Sequence, residues 1–335
     1  MLNPSDYTVG WICALVKELV AAEAFLDKKH DPLDYIPDHD NNSYTLGEVG
    51  KHNVVITVMP QGQYGTVNAA VVARDMARTF PNVRIGLMVG IGGGAPSKEN
   101  DVRLGDIVVG APGHANGGVV QYDYGKTIQG KYFEATGYLN QPPLFMLTAI
   151  ATLKAQYESD GHNIDATIEE VLRKKRRLKP KYSHPPYTTD KLYDSHWVHQ
   201  GSSKDHCNEL CRNAKLKLRH ERSVDEDNPA IHYGLIASGN QLVKDAWLRD
   251  WLVAEKNVLC FEMEAAGLMN HFPCVIIRGI CDYADTHKND SWQGYAAMTA
   301  AAYAKDLLNK IAPNKIKAEK PIHDVLLAEG QSPNN

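Results

Sequence analysis

Two carboxylates stand two positions apart in "CFEMEAAGLMN" (260–270), where Glu262 and Glu264 close an apolar run that reads as a strand. The small residues that follow read as a helix packed closely on a neighbour. A buried carboxylate is costly unless it is paired or hydrogen-bonded. The pair therefore either anchors an internal salt bridge or holds a polar ligand such as a sugar diol. A second acidic pair lies in "GICDYADTHKN" (279–289), with Asp282 just past an apolar strand and Asp285 three residues on. Ligands bind at strand ends in open α/β sheets. An aspartate there can be kept partly protonated by burial and act as a general acid, or it can simply cap the next turn. Glu18, in "ALVKELVAAE" (14–23), falls in the first turns of a helix after the first strand, where a lone glutamate is more often solvated.

Three further groupings carry weaker chemistry. "VGIGGGAP" (89–96) reads as a glycine turn after a strand, yet neither a following helix nor a G-K-[ST] completes a nucleotide fingerprint. It is either a tight turn or a place where backbone amides approach a sugar or phosphate. "HCNELC" (206–211) sets Cys207 and Cys211 beside His206, near His199 and His220, a poor match to paired zinc ligands; no metal is expected. The basic run Arg173, Lys174, Lys175, Arg176, Arg177, Lys179 and Lys181 has no interleaved aromatics and lies in a chain of net charge −4. It reads as a solvated surface or as a face turned to a polyanionic small molecule, not as a nucleic-acid patch.

The elements that must position these residues alternate. Strand-like runs at 7–15, 44–60 (a hairpin turning near 50–53), 84–94, 104–110, 231–239, 257–264 and 274–285 are separated by helical patterns such as 66–80, and 295–311 closes the body. Near-continuous apolar strands between helices point to a layered α/β fold with the sheet covered on both faces. From about 157 to 230 the chain is polar with weak periodicity, an insertion in that frame. From Pro313 onward it reads as a tail or linker. Hydrophobic content of 43% and charged content of 23% are those of a globular protein. No signal peptide or membrane span of ~18 apolar residues is expected. Four of six cysteines lie in apolar runs, which fits reduced thiols in a cytosolic or nuclear protein.

In combination these motifs are specific. The order Glu18, glycine run, "LGDIVV", "ASGNQLV", "FEMEAAG", "RGICDYAD" resembles the nucleoside phosphorylase-I superfamily, over roughly 7–150 and 231–311. That superfamily holds purine nucleoside and uridine phosphorylases and the methylthioadenosine/S-adenosylhomocysteine nucleosidases. The wording of 260–308 looks most like fungal members found at the N-terminus of NLR-like proteins. The resemblance implies a three-layer α/β/α sandwich with a twisted, mixed central sheet. It implies a single domain over 1–312, carrying the insertion 157–230 and followed by a tail at 313–335. It implies a purine nucleosidase without cofactor, cytoplasmic, a dimeric or trimeric homo-oligomer, with no nucleic-acid or membrane partner.

Residue by residue, the resemblance makes Asp282 the group that protonates purine N7 and Glu18 the base that activates water. Glu264 receives the ribose hydroxyls, Met263 lies under the sugar and Glu262 supports the site. Leu242 and Val243 wall the purine, and Asn240, Gly92, Gly93 and Arg278 complete the binding set. Phosphorylases of this kind carry an arginine in an R-[VI]-G-[ST] turn. Here Met88 and Val89 stand in its place and Ile91 replaces the Ser or Thr, which favours water over phosphate as nucleophile. The insertion's basic residues, Arg176 and Arg177 among them, point to a 5′-phosphorylated substrate such as ATP or dATP. The alternatives are a phosphorylase with a rebuilt phosphate site and a nucleotide-sensing module without turnover.

Overall fold

The computed structural model describes residues 2–330 except 114–115, 131–132, 202–206, 224 and 289. The chain opens with β1 (Val9–Cys13), buried along its whole length, and turns into α1 (Val16–Ala24). β2 (Lys28–Lys29) is followed by the expected hairpin of β3 (Tyr44–Val49) and β4 (His52–Val58). Next come α2 (Thr66–Thr79), β5 (Ile85–Gly94), β6 (Ile107–Gly110) and the short strands β7 (Val119–Gln121), β8 (Gly125–Lys126) and β9 (Glu134–Ala135). α3 (Leu144–Asp160) leads into the polar region, where α4 (Ile164–Lys174), α5 (Lys179–Tyr182) and α6 (Cys207–Leu210) lie. β10 (Ile231–Ser238), α7 (Ala246–Lys256), β11 (Val258–Glu262), β12 (Cys274–Asp282) and α8 (Gln293–Lys310) complete the body. α9 (Pro313–Ala318) and α10 (Ile322–Gly330) follow.

The sheet is mixed, in the order β11-β10-β6-β12-β5-β1-β4-β3-β2. β1 lies parallel to both β4 and β5, and β12 runs parallel to β5 from Cys274↔Gly86 onward. All residues of β1 and β12 are buried, as strands covered on both faces require. One pairing matters most for the site. β11 turns back antiparallel onto β5, with Cys260↔Gly94 and Phe261↔Gly93, so this part of the sheet closes on itself. That closure brings the end of "FEME" against the glycine run.

Helix α8 covers the sheet and packs on β12 and β5. Its small residues permit the approach: a side chain at Gly279 of β12 would run into the Ala296 backbone. α1, α3, α4 and α5 pack against α8 in turn. α4 does so through buried Ile164, Ile168 and Leu172, one stripe at helical spacing inside the segment expected to be weakly periodic.

Three expectations change. The glycine run 90–94 is not a turn but the second half of β5, paired on both sides. The small-residue helix after Glu264 is a single 3₁₀ turn, Ala265–Gly267. The segment from Pro313 does not begin as a free tail: Ile316 and Ile322 are fully buried, Ile322 N donates to Val83 O (2.8 Å), and Arg84 donates to the carbonyls of Lys317 and Glu319. Two apolar anchors six residues apart were too sparse to register as an element. No helix among the described residues is long and apolar enough to cross a membrane.

Candidate active site

The ends of β1, β5, β11 and β12 meet around a cavity of about 1010 Å³. Each strand delivers part of its wall. β1 leads through Ala14 and Leu15 into Glu18, β5 supplies Gly92 and Gly93, β11 ends at Glu262, and β12 ends at Asp282.

Glu18 is 3% exposed, so the solvated reading of a helical glutamate does not hold. Its Oε2 accepts from the backbone N–H groups of Ala14 (2.6 Å) and Leu15 (2.9 Å), and its Oε1 accepts from Ile91 N (2.8 Å). The first turn of α1 is thereby bent inward and tied to β5. Burial pushes the Glu18 carboxyl up from its ordinary value, while Arg278 and the three backbone donors pull against it without cancelling the rise. Gly90 makes the meeting possible, since a Cβ there would collide with both the Glu18 carboxylate and the Arg278 guanidinium.

Arg278 is the only guanidinium lining the cavity among the described residues, and three carboxylates surround it. It donates to Glu262 and lies 3.3 Å from Glu264 Oε2. Glu262 also accepts from the backbone of Glu264 (3.1 Å) and Ala265 (3.0 Å). The two glutamates are therefore held to different degrees. Glu262 anchors the turn and the arginine. Glu264 keeps two longer contacts, from Met263 N at 3.3 Å and Gly65 N at 3.5 Å, and has its carboxyl pushed up by burial, opposed by Arg278 and reinforced by Glu262 and Glu18.

Asp282, 4% exposed, accepts from Ala284 N (2.9 Å) and pairs with the Lys288 ammonium at 2.8 Å. Ala284 sits at φ 52°, a left-handed conformation that alanine adopts at a cost and that is typical of functional turns. Burial alone would lower the Lys288 pKa, but Asp282 outweighs it and the net shift is upward.

Of the expected residues, Asp282, Glu18, Glu264, Met263, Glu262, Leu242, Gly92, Gly93 and Arg278 line this one cavity. The others do not. Val243 packs in a satellite core with Ala237, Leu252 and Phe261. Asn240 Oδ1 accepts from Thr66 N (3.0 Å) and Thr66 Oγ1 (3.1 Å), which ties the end of β10 to α2. Arg176 and Arg177 are exposed and outside the cavity wall, because α4 turns its apolar stripe to α8 and leaves the basic residues after it in solvent. The cations that do line the wall, besides Arg278, are Lys191, Lys244 and Lys288. Lys288 and Lys244 lay within a few residues of recognised motifs, so proximity to those motifs could have found them. Lys191 carried no such signal.

A second grouping formed beside the cavity. His199, Cys207 and Cys211 bring their ligand atoms within 4.8 Å of one another, where no metal was expected. His206 lies outside the described residues, and His220 engages Arg103 through its carbonyl instead.

A family model described as the phosphorylase superfamily matches residues 8–312. The chain belongs to the phosphorylase superfamily. Over 322 residues this superfamily member is 47% identical to a nucleotide-binding leucine-rich repeat (NLR)-like protein of Hyaloscypha variabilis, covering 96% of the chain and 31% of that protein. It therefore spans less than a third of that relative's length. A stretch of 96 residues is 30% identical to an aminodeoxyfutalosine nucleosidase of Helicobacter pylori, covering 26% of the chain and 42% of the relative.

Among solved structures, the Neisseria meningitidis 5′-methylthioadenosine/S-adenosylhomocysteine nucleosidase bound to methylthio-immucillin-A superposes with a TM-score of 0.55 at 18% identity, over 91% of this chain and 99% of that one. The 5′-methylthioadenosine/S-adenosylhomocysteine nucleosidase from S. pneumoniae with the transition-state inhibitor MT-ImmA gives 0.56 at 17% identity, over 91% and 100%. At such identities these likenesses establish the fold, an α/β architecture around a mixed central sheet.

Proposed function

We propose that this superfamily member is a purine nucleosidase, hydrolysing an N-glycosidic bond with water as nucleophile. The observation that carries this reading is the convergence of Glu18, Glu264 and Asp282 on one cavity with Arg278 as a shared countercharge paired to Glu262 and Glu264. Cleavage of the bond builds positive charge on the ribose and negative charge on the departing base. Asp282, at the β12 end, is the group that hydrogen-bonds or protonates the base, with Lys288 beside it as a source of positive charge. Glu264 receives the ribose hydroxyls over Met263, and Leu242 borders the base. Glu18, fixed on both oxygens and with a raised pKa, is suited to take a proton from water, since a base performs best when its pKa approaches the working pH. Met88 and Val89, buried in β5, offer phosphate no cation where the phosphorylase arginine would stand.

The finer reading is a 5′-phosphorylated adenine nucleoside such as ATP or dATP. The cavity lies at the upper end of the ~300–1,000 Å³ usual for ligand sites. Lys191 and Lys244 in its wall take the role that the sequence had given to Arg176 and Arg177. Charge-assisted bonds contribute about 1.5–3 kcal/mol each.

The test is release of free base from ATP, dATP, AMP, adenosine, methylthioadenosine and guanosine in phosphate-free buffer. Adenine should appear without phosphate, with kcat/KM for ATP above that for adenosine. The double variant Lys191→Ala/Lys244→Ala should lower the ATP value at least about tenfold and leave adenosine unchanged. Product formed only when phosphate is added would make the protein a phosphorylase. Binding without product would make it a sensor, and efficient turnover of adenosine with ATP inert would remove the nucleotide reading.

A further inference from the structure

The polar insertion carries a ligand set that the glycosidic chemistry leaves unused. His199 Nδ1 lies 3.2 Å from the Cys211 sulfur and 3.6 Å from the Cys207 sulfur, and all three ligand atoms fall within 4.8 Å. Tetrahedral zinc, with bonds of about 2.3 Å to sulfur and 2.0–2.1 Å to nitrogen, sets its ligands about 3.6–3.8 Å apart. The spacing is that of a coordination shell. The two cysteines project from successive turns at the α6 helix, and the histidine nitrogen faces both.

The surroundings add a second observation. His287 is 6% exposed, and neither ring nitrogen has a hydrogen-bond partner among the described residues. Its ring centroid is 6.0 Å from that of His199, and its face stacks on Tyr193 at 3.8 Å. The nearest carboxylate to its Nδ1 is that of Asp285 at 3.6 Å, too long for a hydrogen bond, and a buried imidazole so placed beside two thiols and a third donor is costly as it stands. It is the arrangement expected where a fourth ligand, or a metal-bound water, is to be met.

We propose that His199, Cys207 and Cys211 bind one thiophilic divalent metal, zinc by preference, with His287 or water adjacent to its fourth position. Two thiols and an imidazole favour zinc over magnesium or calcium, which take oxygen ligands. The site fastens the insertion to the turn that carries the Asp282 partner. His199 N donates to Thr286 Oγ1 at 2.9 Å, and the Cys207 sulfur lies 3.8 Å from the His287 carbonyl. His199, Cys207 and Lys288 line the same cavity, so the metal holds part of its wall. A polar segment with few apolar anchors gains most from such a staple.

The experiment uses the full chain purified under reducing conditions. Zinc content by mass spectrometry should be about one equivalent per chain. Replacement by cobalt(II) should give the thiolate-to-metal charge-transfer band and the intense visible bands of a tetrahedral site. Cys207→Ser/Cys211→Ser should lose both metal and bands, and zinc should shield two thiols of the wild type from a thiol reagent. Because the double variant can misfold, the wild-type cobalt spectrum, before and after chelation, decides on its own. Substoichiometric zinc together with a featureless cobalt spectrum overturns the proposal. So does a Cys207–Cys211 disulfide found by peptide mapping of the unreduced protein.

Discussion

Two buried charge clusters in this molecule are built on opposite principles. At the β6 edge, Asp106 is one carboxylate, fully buried, surrounded by donors. It accepts from the backbone of Arg103 (2.8 Å) and Ala230 (2.9 Å) and from both Arg222 nitrogens (2.6 and 2.5 Å), and His232 Nε2 lies 2.9 Å away. Burial would raise its pKa, yet Arg222 and His232 overcome that and hold the carboxyl below its usual range. In the cavity, three carboxylates share one guanidinium, and Glu18 and Glu264 are both pushed up. The first cluster is over-supplied with donors and stabilises the fold. The second is short of positive charge, as functional sites often are.

The sharpest way to break this comparison is to neutralise each cluster in turn. Glu18→Gln and Asp282→Asn should each lower kcat for base release about 10²–10⁴-fold while a nucleoside still binds, because neither amide can exchange the required proton. Glu18→Gln should cost about 1–3 kcal/mol of stability, since an amide cannot accept at both oxygens. Near-wild-type hydrolysis by either variant would remove that residue from the mechanism.

Asp106→Asn should show the reverse pattern. Leaving the partly buried Arg222 without its carboxylate costs up to about 3–5 kcal/mol, read as a lower urea midpoint, with kcat per folded molecule unchanged. A loss below about 1 kcal/mol would put the node among weak surface pairs.

The pH dependences should also diverge. Asp106, with a lowered folded pKa, contributes stability that is present above its unfolded value of about 3.9 and fades as pH falls through the folded value. Glu18 has a raised folded pKa, so the acid limb of kcat/KM should lie above the ordinary glutamate value of about 4.3. A limb at or below that value would show that Glu18 is not the titrating base. The smallest effect belongs to Arg176→Glu/Arg177→Glu, which should change kcat/KM for a nucleotide less than about twofold, as exposed charges remote from a site do.

The difference between legible and hidden features follows the range of the forces involved. β1, β5, β10, β11 and β12 were readable because each is a continuous apolar run, a local property that survives in one dimension. The placement of Glu262, Glu264 and Asp282 at the cavity was readable for the same reason, as acidic residues at the ends of such runs. Amphipathic α4 was missed because its three buried residues are diluted among charges, and the packing of Ile316 and Ile322 because two anchors make no pattern.

What the sequence determined by itself was which strands exist and which carboxylates stand at their ends. What only the tertiary structure decided was the fate of each charge. β11 had to fold back onto β5, and Gly90 had to leave room, before Glu18, Glu264 and Arg278 could share one desolvated space. Lys191, Lys244, His199 and Cys207 likewise come to the cavity through contacts between segments far apart in the chain. Burial and Coulomb interactions depend on distance in space, and spacing along the chain does not set that distance.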